Sequence, residues 1–212
     1  MPDLEFDAAS HTYRYEGRVL PSVSAIIRDL SMADLRMVPP EVLREAAEFG
    51  TRVHALTEEY DRANAAWLGH FYDLPEREWR CLEAWASFRH DMRWQNTHIE
   101  HRVRHHALGY AGTIDRLGVF HNPDTGLSEQ AIIDIKTSDP HDWHGVQLAG
   151  YHLAARSEGL IPTPGWMETV PACGRYAVYL RDDGTYRLRR YDSPEDTRVF
   201  LQQLRQTLSI PF

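Results

Sequence analysis

The stretch Ala131-Ile132-Ile133-Asp134-Ile135-Lys136-Thr137 decides how the rest of the chain is read. Three apolar residues in a row, then acid, isoleucine and lysine in alternation, describe a buried strand at the point where it leaves the core. Residues i and i+2 of a strand project to one face, so Asp134 and Lys136 point into one space. Upstream, Gly112-Thr113-Ile114-Asp115 sets another carboxylate inside a strand, and alternation puts Leu117 and Val119 on the same side as Asp115. A carboxylate on a core-facing side needs a partner, and if the two strands pair, Asp115 can join Asp134 and Lys136.

Working outward, strands are expected near 98–107, 110–120 and 129–137, followed by a helix over 143–157. Two further strands near 175–181 and 185–191 turn at Asp183-Gly184, and a helix capped by Ser193 and Pro194 runs towards Leu208. Towards the N-terminus, residues 11–20 alternate and turn at Glu16-Gly17 as a β-hairpin, and Ser22 caps a short helix through Ile26, Ile27 and Leu30. Beyond Pro39-Pro40, the spacing of Val42, Leu43, Ala46, Phe49, Val53, Leu56 and Tyr60 predicts a long helix with room for a bend at Gly50. A second helix after Pro75 has Trp79, Leu82, Trp85, Ala86 and Phe88 as its apolar side, an aromatic stripe of the kind that fills cores. The order predicts an α/β fold with a mixed central sheet flanked by helices. One domain over 1–212 is expected: a hairpin and helical part over 1–97, a sheet core over 98–191 and a closing helix over 192–212.

Composition narrows the function classes. With 42% hydrophobic and 25% charged residues, the 212-residue chain is ordinary globular material rather than disordered. No apolar run approaches the ~18 residues of a membrane span and the N-terminus lacks the pattern of a signal peptide, so a cytoplasmic protein without a membrane partner is expected. Two cysteines, Cys81 and Cys173, are too few for a cysteine zinc site or an iron-sulfur cluster, and both read as structural. The net charge of -8 argues against a protein that wraps nucleic acid. A narrow arginine-lined cleft, or recruitment by a partner, would still let an acidic chain meet a polyanion.

Of the 23 Lys and Arg residues only Lys136 is a lysine. A compact ammonium that can lose its proton or sit beside a metal-held water is not replaceable by a planar, permanently charged guanidinium, which makes Lys136 a candidate for chemistry. Two aspartates converging on one pocket repel, and a divalent cation relieves the repulsion. All-oxygen ligation suits Mg²⁺ or Mn²⁺, and a lysine there can position or deprotonate the water and stabilise charge on a phosphate. The bland alternative is a structural Asp134–Lys136 ion pair, the better reading for an isolated D-x-K.

The constellation goes further. Gly112 to Asp115, then Asp134-Ile135-Lys136-Thr137, then Gln147 and Tyr151 four apart on the next helix resembles the PD-(D/E)XK nuclease superfamily, in particular its RecB-like and phage exonuclease branches. The similarity runs from about residue 11 to 155 and includes Gly50-Thr51-Arg52-Val53-His54 and Leu20-Pro21-Ser22-Val23-Ser24. It implies a restriction-endonuclease-like αβββαβ core and metal ligation by Asp115, Asp134 and the Ile135 carbonyl. It also implies a histidine ligand at His54, an activating role for Lys136, and Gln147 and Tyr151 facing the active site or the DNA backbone. The family's second acid is more often Glu than the Asp found at 134.

Outside the motif, Glu100 begins a strand and could assist the metal through a water, or be an exposed strand-end acid. Arg102 and Arg104, with His101, His105 and His106, could contact phosphates, or be a solvated edge strand. Arg187 and Arg189, with Arg175, Arg181, Arg190 and interleaved tyrosines, suit a single strand, or a surface hairpin. Nitrogen ligation by His54 would tilt the metal towards Mn²⁺. The expected activity is metal-dependent hydrolysis of DNA phosphodiesters, more an exonuclease of recombination, repair or phage replication than an endonuclease, with a recombination or replication protein as a further partner. The rivals are a catalytically inactive binding module of the same fold and a restriction-like endonuclease.

Overall fold

The computed structural model describes residues 4–8, 10–63, 73–121, 123, 126–161 and 173–209. The chain opens with β1 (Glu5–Asp7), β2 (Thr12–Tyr15) and β3 (Arg18–Leu20), a three-stranded antiparallel sheet in that order. The tight turn between β2 and β3 has two left-handed residues, Glu16 at φ 50 and Gly17 at φ 75, matching the right-handed twist of the flanking strands. The expected hairpin thus gains a third strand, whose three residues are too few to show an alternation.

Ser22 caps α1 (Val23–Ile26), its hydroxyl accepting from the Ala25 N–H at 3.0 Å. The single helix expected from Ser22 to Leu30 is two: Ile27 (φ -91, ψ 6) breaks it, and α2 (Arg28–Leu35) follows with no buried residue. Next come α3 (Pro40–Arg62), unbroken through Gly50, and α4 (Glu76–Asp91). Proline precedes both, where a missing N–H costs nothing.

The main sheet comprises β4 (Gln95–His105), β5 (Tyr110–His121), β6 (Ser128–Lys136), β7 (Gly174–Leu180) and β8 (Tyr186–Arg190), in the spatial order β4-β5-β6-β7-β8. β4 begins at Gln95, so the sheet starts three residues before the boundary expected at 98. All neighbours are antiparallel except β6 and β7, whose parallel pairing is reached through the crossover helix α5 (Trp143–Ser157); α6 (Pro194–Leu208) closes the described chain. The fold is therefore α/β, a mixed central sheet with helices on both faces.

Ile132 packs with Val23, Leu148, Ala149, Phe200 and Leu204 of α1, α5 and α6. Its neighbour Ile133 packs with Phe49, Val53, Leu82, Trp85 and Phe88 of α3 and α4. A strand buried on both faces needs apolar residues at every position, which is why β6 reads as a continuous run rather than an alternation. Each such side chain contributes about 1.5–3 kcal/mol of burial, so the two layers of helices hold β6 rigidly from both sides. Among the described residues no helix is long and apolar enough to cross a membrane.

Candidate metal centre

The site sits where two strands part. The β5–β6 ladder runs from His121↔Ser128 to Arg116↔Ile133 and goes no further, while β6 stays paired with β7 as far as Lys136↔Tyr179. Beyond Ile133 the N–H groups on the β5 side of β6 need other acceptors, and the Asp115 carboxylate supplies one, its Oδ2 accepting from Ile135 N at 2.7 Å.

β5 is itself irregular at this point. Ile114 and Leu117 belong to the same apolar cluster although they are three apart, which a regular strand would place on opposite faces. The expectation that Asp115 shares a side with Leu117 is therefore corrected: Asp115 Oδ2 lies 3.6 Å from His54 Nδ1 of α3, whereas Leu117 packs with α5 and α6. Opposite Asp115 on β4 is Glu100, at φ 47, a left-handed conformation that costs a residue with a Cβ about 1–2 kcal/mol. Backbone strain of this kind persists where surrounding contacts over-determine it.

Three ligand atoms come together here, one each from His54, Glu100 and Asp115, all within 4.8 Å of one another. The His54 ring is oriented by the Ile135 carbonyl, 2.9 Å from Nε2. A carbonyl can only accept, so Nε2 carries the proton and a neutral His54 offers an unprotonated Nδ1 towards Asp115 Oδ2. Two electron pairs then face each other across the 3.6 Å gap, an arrangement that calls for a proton or a cation between them. One imidazole nitrogen and several carboxylate oxygens, with the histidine fixed from behind by a carbonyl, fit a hard divalent ion and suit Mn²⁺ at least as well as Mg²⁺.

Asp134 is near this cluster but not in it. It is 3% exposed, and its Oδ2 lies 2.6 Å from Lys136 Nζ in ion-pair contact without receiving a hydrogen bond. Burial pushes its carboxyl above the usual carboxylate range, Lys136 opposes that, and Asp115 adds to it. Burial likewise raises Glu100, helped by the charge on Asp115 and resisted by Arg116. Lys136 donates to Gln147 Oε1 at 2.9 Å, and Gln147 Nε2 donates to the Tyr151 hydroxyl at 3.1 Å. Residues four apart on α5 share a face, so Gln147 and Tyr151 form one wall of the cleft and hold the lysine at its end. Tyr151 reaches the strand because Gly112 has no side chain: a Cβ there would lie 2.7 Å from the Tyr151 ring and 3.1 Å from Val23.

His54, Asp115, Asp134, Ile135, Lys136, Gln147 and Tyr151 are thus brought together, and Glu100, expected at most to act through a water, joins the ligand cluster directly. Of the arginines expected to contact DNA, Arg102 and Arg104 lie on β4 and Arg187 and Arg189 on β8. β4 and β8 are the two edges of the sheet. Arg102 lies 5.3 Å from the Phe6 ring and Arg104 3.4 Å from the Tyr15 ring, so both fasten β4 to the N-terminal sheet. Arg189 pairs with Asp142 at 3.2 Å and Arg175 is buried against Asp196 and the Ser193 carbonyl. Arg187 opens onto a cavity of about 300 Å³ lined also by Phe49, Arg77, Thr137, Asp139 and Arg181, beside the end of β6.

Compared with known proteins, the chain matches no family model and no curated sequence.

Sequence reasoning missed a buried polar group behind Glu100. Arg116, 0% exposed, donates from Nε to Asp61 Oδ2 at 2.5 Å, from Nη1 to Glu100 at 2.9 Å and to the Asp115 carbonyl at 2.7 Å, and from Nη2 to Thr57 at 3.2 Å. His54, Thr57 and Asp61 are spaced i, i+3, i+7 on α3, a polar stripe along an otherwise apolar face that was visible in the sequence. Arg116 gave no such signal, because regular alternation would turn it away from Asp115.

Proposed function

We propose that this protein is a metal-dependent phosphodiesterase acting on DNA, a PD-(D/E)XK-type nuclease that degrades from strand ends. The observation that carries the reading is the meeting, at one split in the sheet, of the His54–Glu100–Asp115 ligand cluster with the chain's single lysine. A bound Mg²⁺ or Mn²⁺ would supply Lewis acidity to the scissile phosphate and lower the pKa of the attacking water.

The chain's own groups do the rest. His54, Glu100 and Asp115 would hold the ion, and Asp134 holds Lys136 by charge. Gln147 fixes the ammonium's direction through its Oε1, leaving a lysine side chain 15% exposed to meet a phosphate oxygen or the water. Tyr151 completes the wall against which the backbone would lie. The Ile135 carbonyl, accepting from Nε2, would orient His54 as a ligand. Arg187 and its neighbours Arg77 and Arg181 offer cations for a phosphate next to the scissile one.

The net charge of -8, with Arg189 engaged by Asp142 and Arg175 buried against Asp196, supports weak intrinsic DNA affinity and recruitment by a recombination or replication protein. A cytoplasmic setting goes with this reading. The deciding experiment is digestion of end-labelled linear and closed circular DNA with Mn²⁺, Mg²⁺ or EDTA. Metal-dependent loss from linear ends alone, abolished in Lys136→Ala, is expected. Intact linear DNA together with no calorimetric uptake of Mn²⁺ would establish a binding module instead, and discrete fragments from circles a restriction-like endonuclease.

A further inference from the structure

Arg116 is an unusual residue to find at 0% exposure, and each of its three guanidinium nitrogens has a hydrogen-bond partner. Its anchor is Asp61, whose own Oδ1 receives Trp85 Nε1 at 3.1 Å and lies 2.8 Å from Arg89 Nη1. Asp61 thus has two cationic partners. The guanidinium of Arg116 keeps charge to spare for a second carboxylate, and the one it reaches is Glu100.

We propose that Arg116, held by Asp61, is the positioning residue that turns Glu100 towards Asp115 and His54 and so sets how tightly the cluster takes a divalent cation. The inference rests on the metal-dependent reading above and extends it to groups that touch neither ion nor substrate.

Three observations carry it. Glu100 and Asp115 are like charges facing each other across two strands, so Glu100, with a side chain 24% exposed, would lower its energy by swinging towards solvent. It does not, and the contact that retains it is the 2.9 Å bond from Arg116 Nη1 to Oε1. Arg116 takes only that one oxygen, and the other has no donor among the described residues, which leaves it free to ligate. The strained φ of 47 at Glu100 is the backbone conformation in which its side chain reaches Arg116 and the cluster together. The same Nη1 also donates to the Asp115 carbonyl, so one guanidinium ties both acid-bearing strands at the level of the ligands. Only a planar fork can serve Asp61, Glu100, Asp115 and Thr57 at once; an ammonium in its place has too few donors, in the wrong directions.

The test is Mn²⁺ titration of the intact protein by calorimetry, with Mn²⁺ alone as the probe and a melting curve in EDTA recorded for each variant. Glu100→Gln and Arg116→Lys are each expected to weaken Mn²⁺ binding by about ten- to a hundredfold, the usual consequence of disturbing a ligand's outer support. Combined, they are expected to lose little more than either alone, because both remove the same ligand. Asp61→Asn, which keeps the shape of the side chain, makes the same comparison should Arg116→Lys fail to fold. Glu100→Gln that binds Mn²⁺ like the parent overturns the proposal, as do losses that multiply in the double variant. A parent that takes up no Mn²⁺ and cuts no DNA sinks the metal reading itself, whereas a parent that binds and cuts with unaffected variants sinks only the role of Arg116.

Discussion

Gly112→Ala tests whether the close approach of α5 to β5 is what places Tyr151. The added methyl would lie 2.7 Å from Tyr151 Cε1 and 3.1 Å from both Tyr151 Cδ1 and Val23 Cγ2, so the ring must retreat by roughly 0.7 Å to reach ordinary contact. It has little room, since Tyr151 is 7% exposed and its hydroxyl is bonded to Gln147. Overpacking of this kind costs about 1–3 kcal/mol. Loss of glycine's freedom in the unfolded chain returns about 0.4–1 kcal/mol. The net of about 0–2.6 kcal/mol corresponds to a fall in Tm of up to about 10 °C for a domain of this size. Differential scanning calorimetry in EDTA reads the shift directly. Because Tyr151 supports Gln147 and Gln147 holds Lys136, Mn²⁺-dependent cleavage should fall by a larger factor than the folded fraction at assay temperature. An alanine variant that melts above the parent refutes the packing argument, and one that melts lower but cleaves normally refutes the link from Tyr151 to Lys136.

Gly118→Ala should be more damaging than Gly112→Ala, because its Cβ would lie 2.1 Å from the backbone oxygen of Gln95, which cannot swing aside; a melting temperature above that of Gly112→Ala would contradict this. Lys136→Met leaves Asp134 buried without its cation, at a cost of about 3–5 kcal/mol while the carboxylate stays charged. Burial already raises the Asp134 pKa and the loss of Lys136 raises it further, so the folded state binds the proton better than the unfolded chain. The destabilisation is then full above the folded pKa and disappears as pH falls through it towards the ordinary carboxylate range. Urea melts in EDTA should show a large deficit at pH 8 that narrows towards pH 5, and a constant deficit rules the account out. Burial pushes the thiols of Cys81 up to about 11 and Cys173 up to about 12, so a thiol reagent at pH 8 should label neither in the native protein and both in denaturant. Rapid native labelling would show that one of them is accessible. His144, held down to about 2 by burial with Lys136 and His141 adding to the effect, should remain neutral in nitrogen-labelled spectra throughout pH 5–8; a titration in that range would place it in a more open environment.

Much of the fold was legible because its signals are local. The run Ala131-Ile132-Ile133, followed by acid and lysine in alternation, fits a strand covered on both faces, and the prolines at 39, 75 and 194 marked helix starts by removing an N–H where none is needed. The pairing of Asp134 with Lys136 follows from strand period alone, and that of Gln147 with Tyr151 from helix period. What failed were inferences that extended a regular period across an irregularity: Leu117 does not share a side with Asp115, and Ile27 breaks a helix whose apolar residues continue past it.

The sequence by itself determined the order of elements and the pairs of side chains that share a face, because backbone geometry fixes both within a few residues. Only the tertiary structure decided that β5 and β6 part at Ile133, that Glu100 in a left-handed conformation joins His54 and Asp115, and that Asp134 is occupied with Lys136. Those outcomes depend on residues up to 81 positions apart, such as His54 and Ile135, and on a buried arginine whose partners come from two strands and a helix. Contacts across such distances are set by how the layers pack, which no local period encodes.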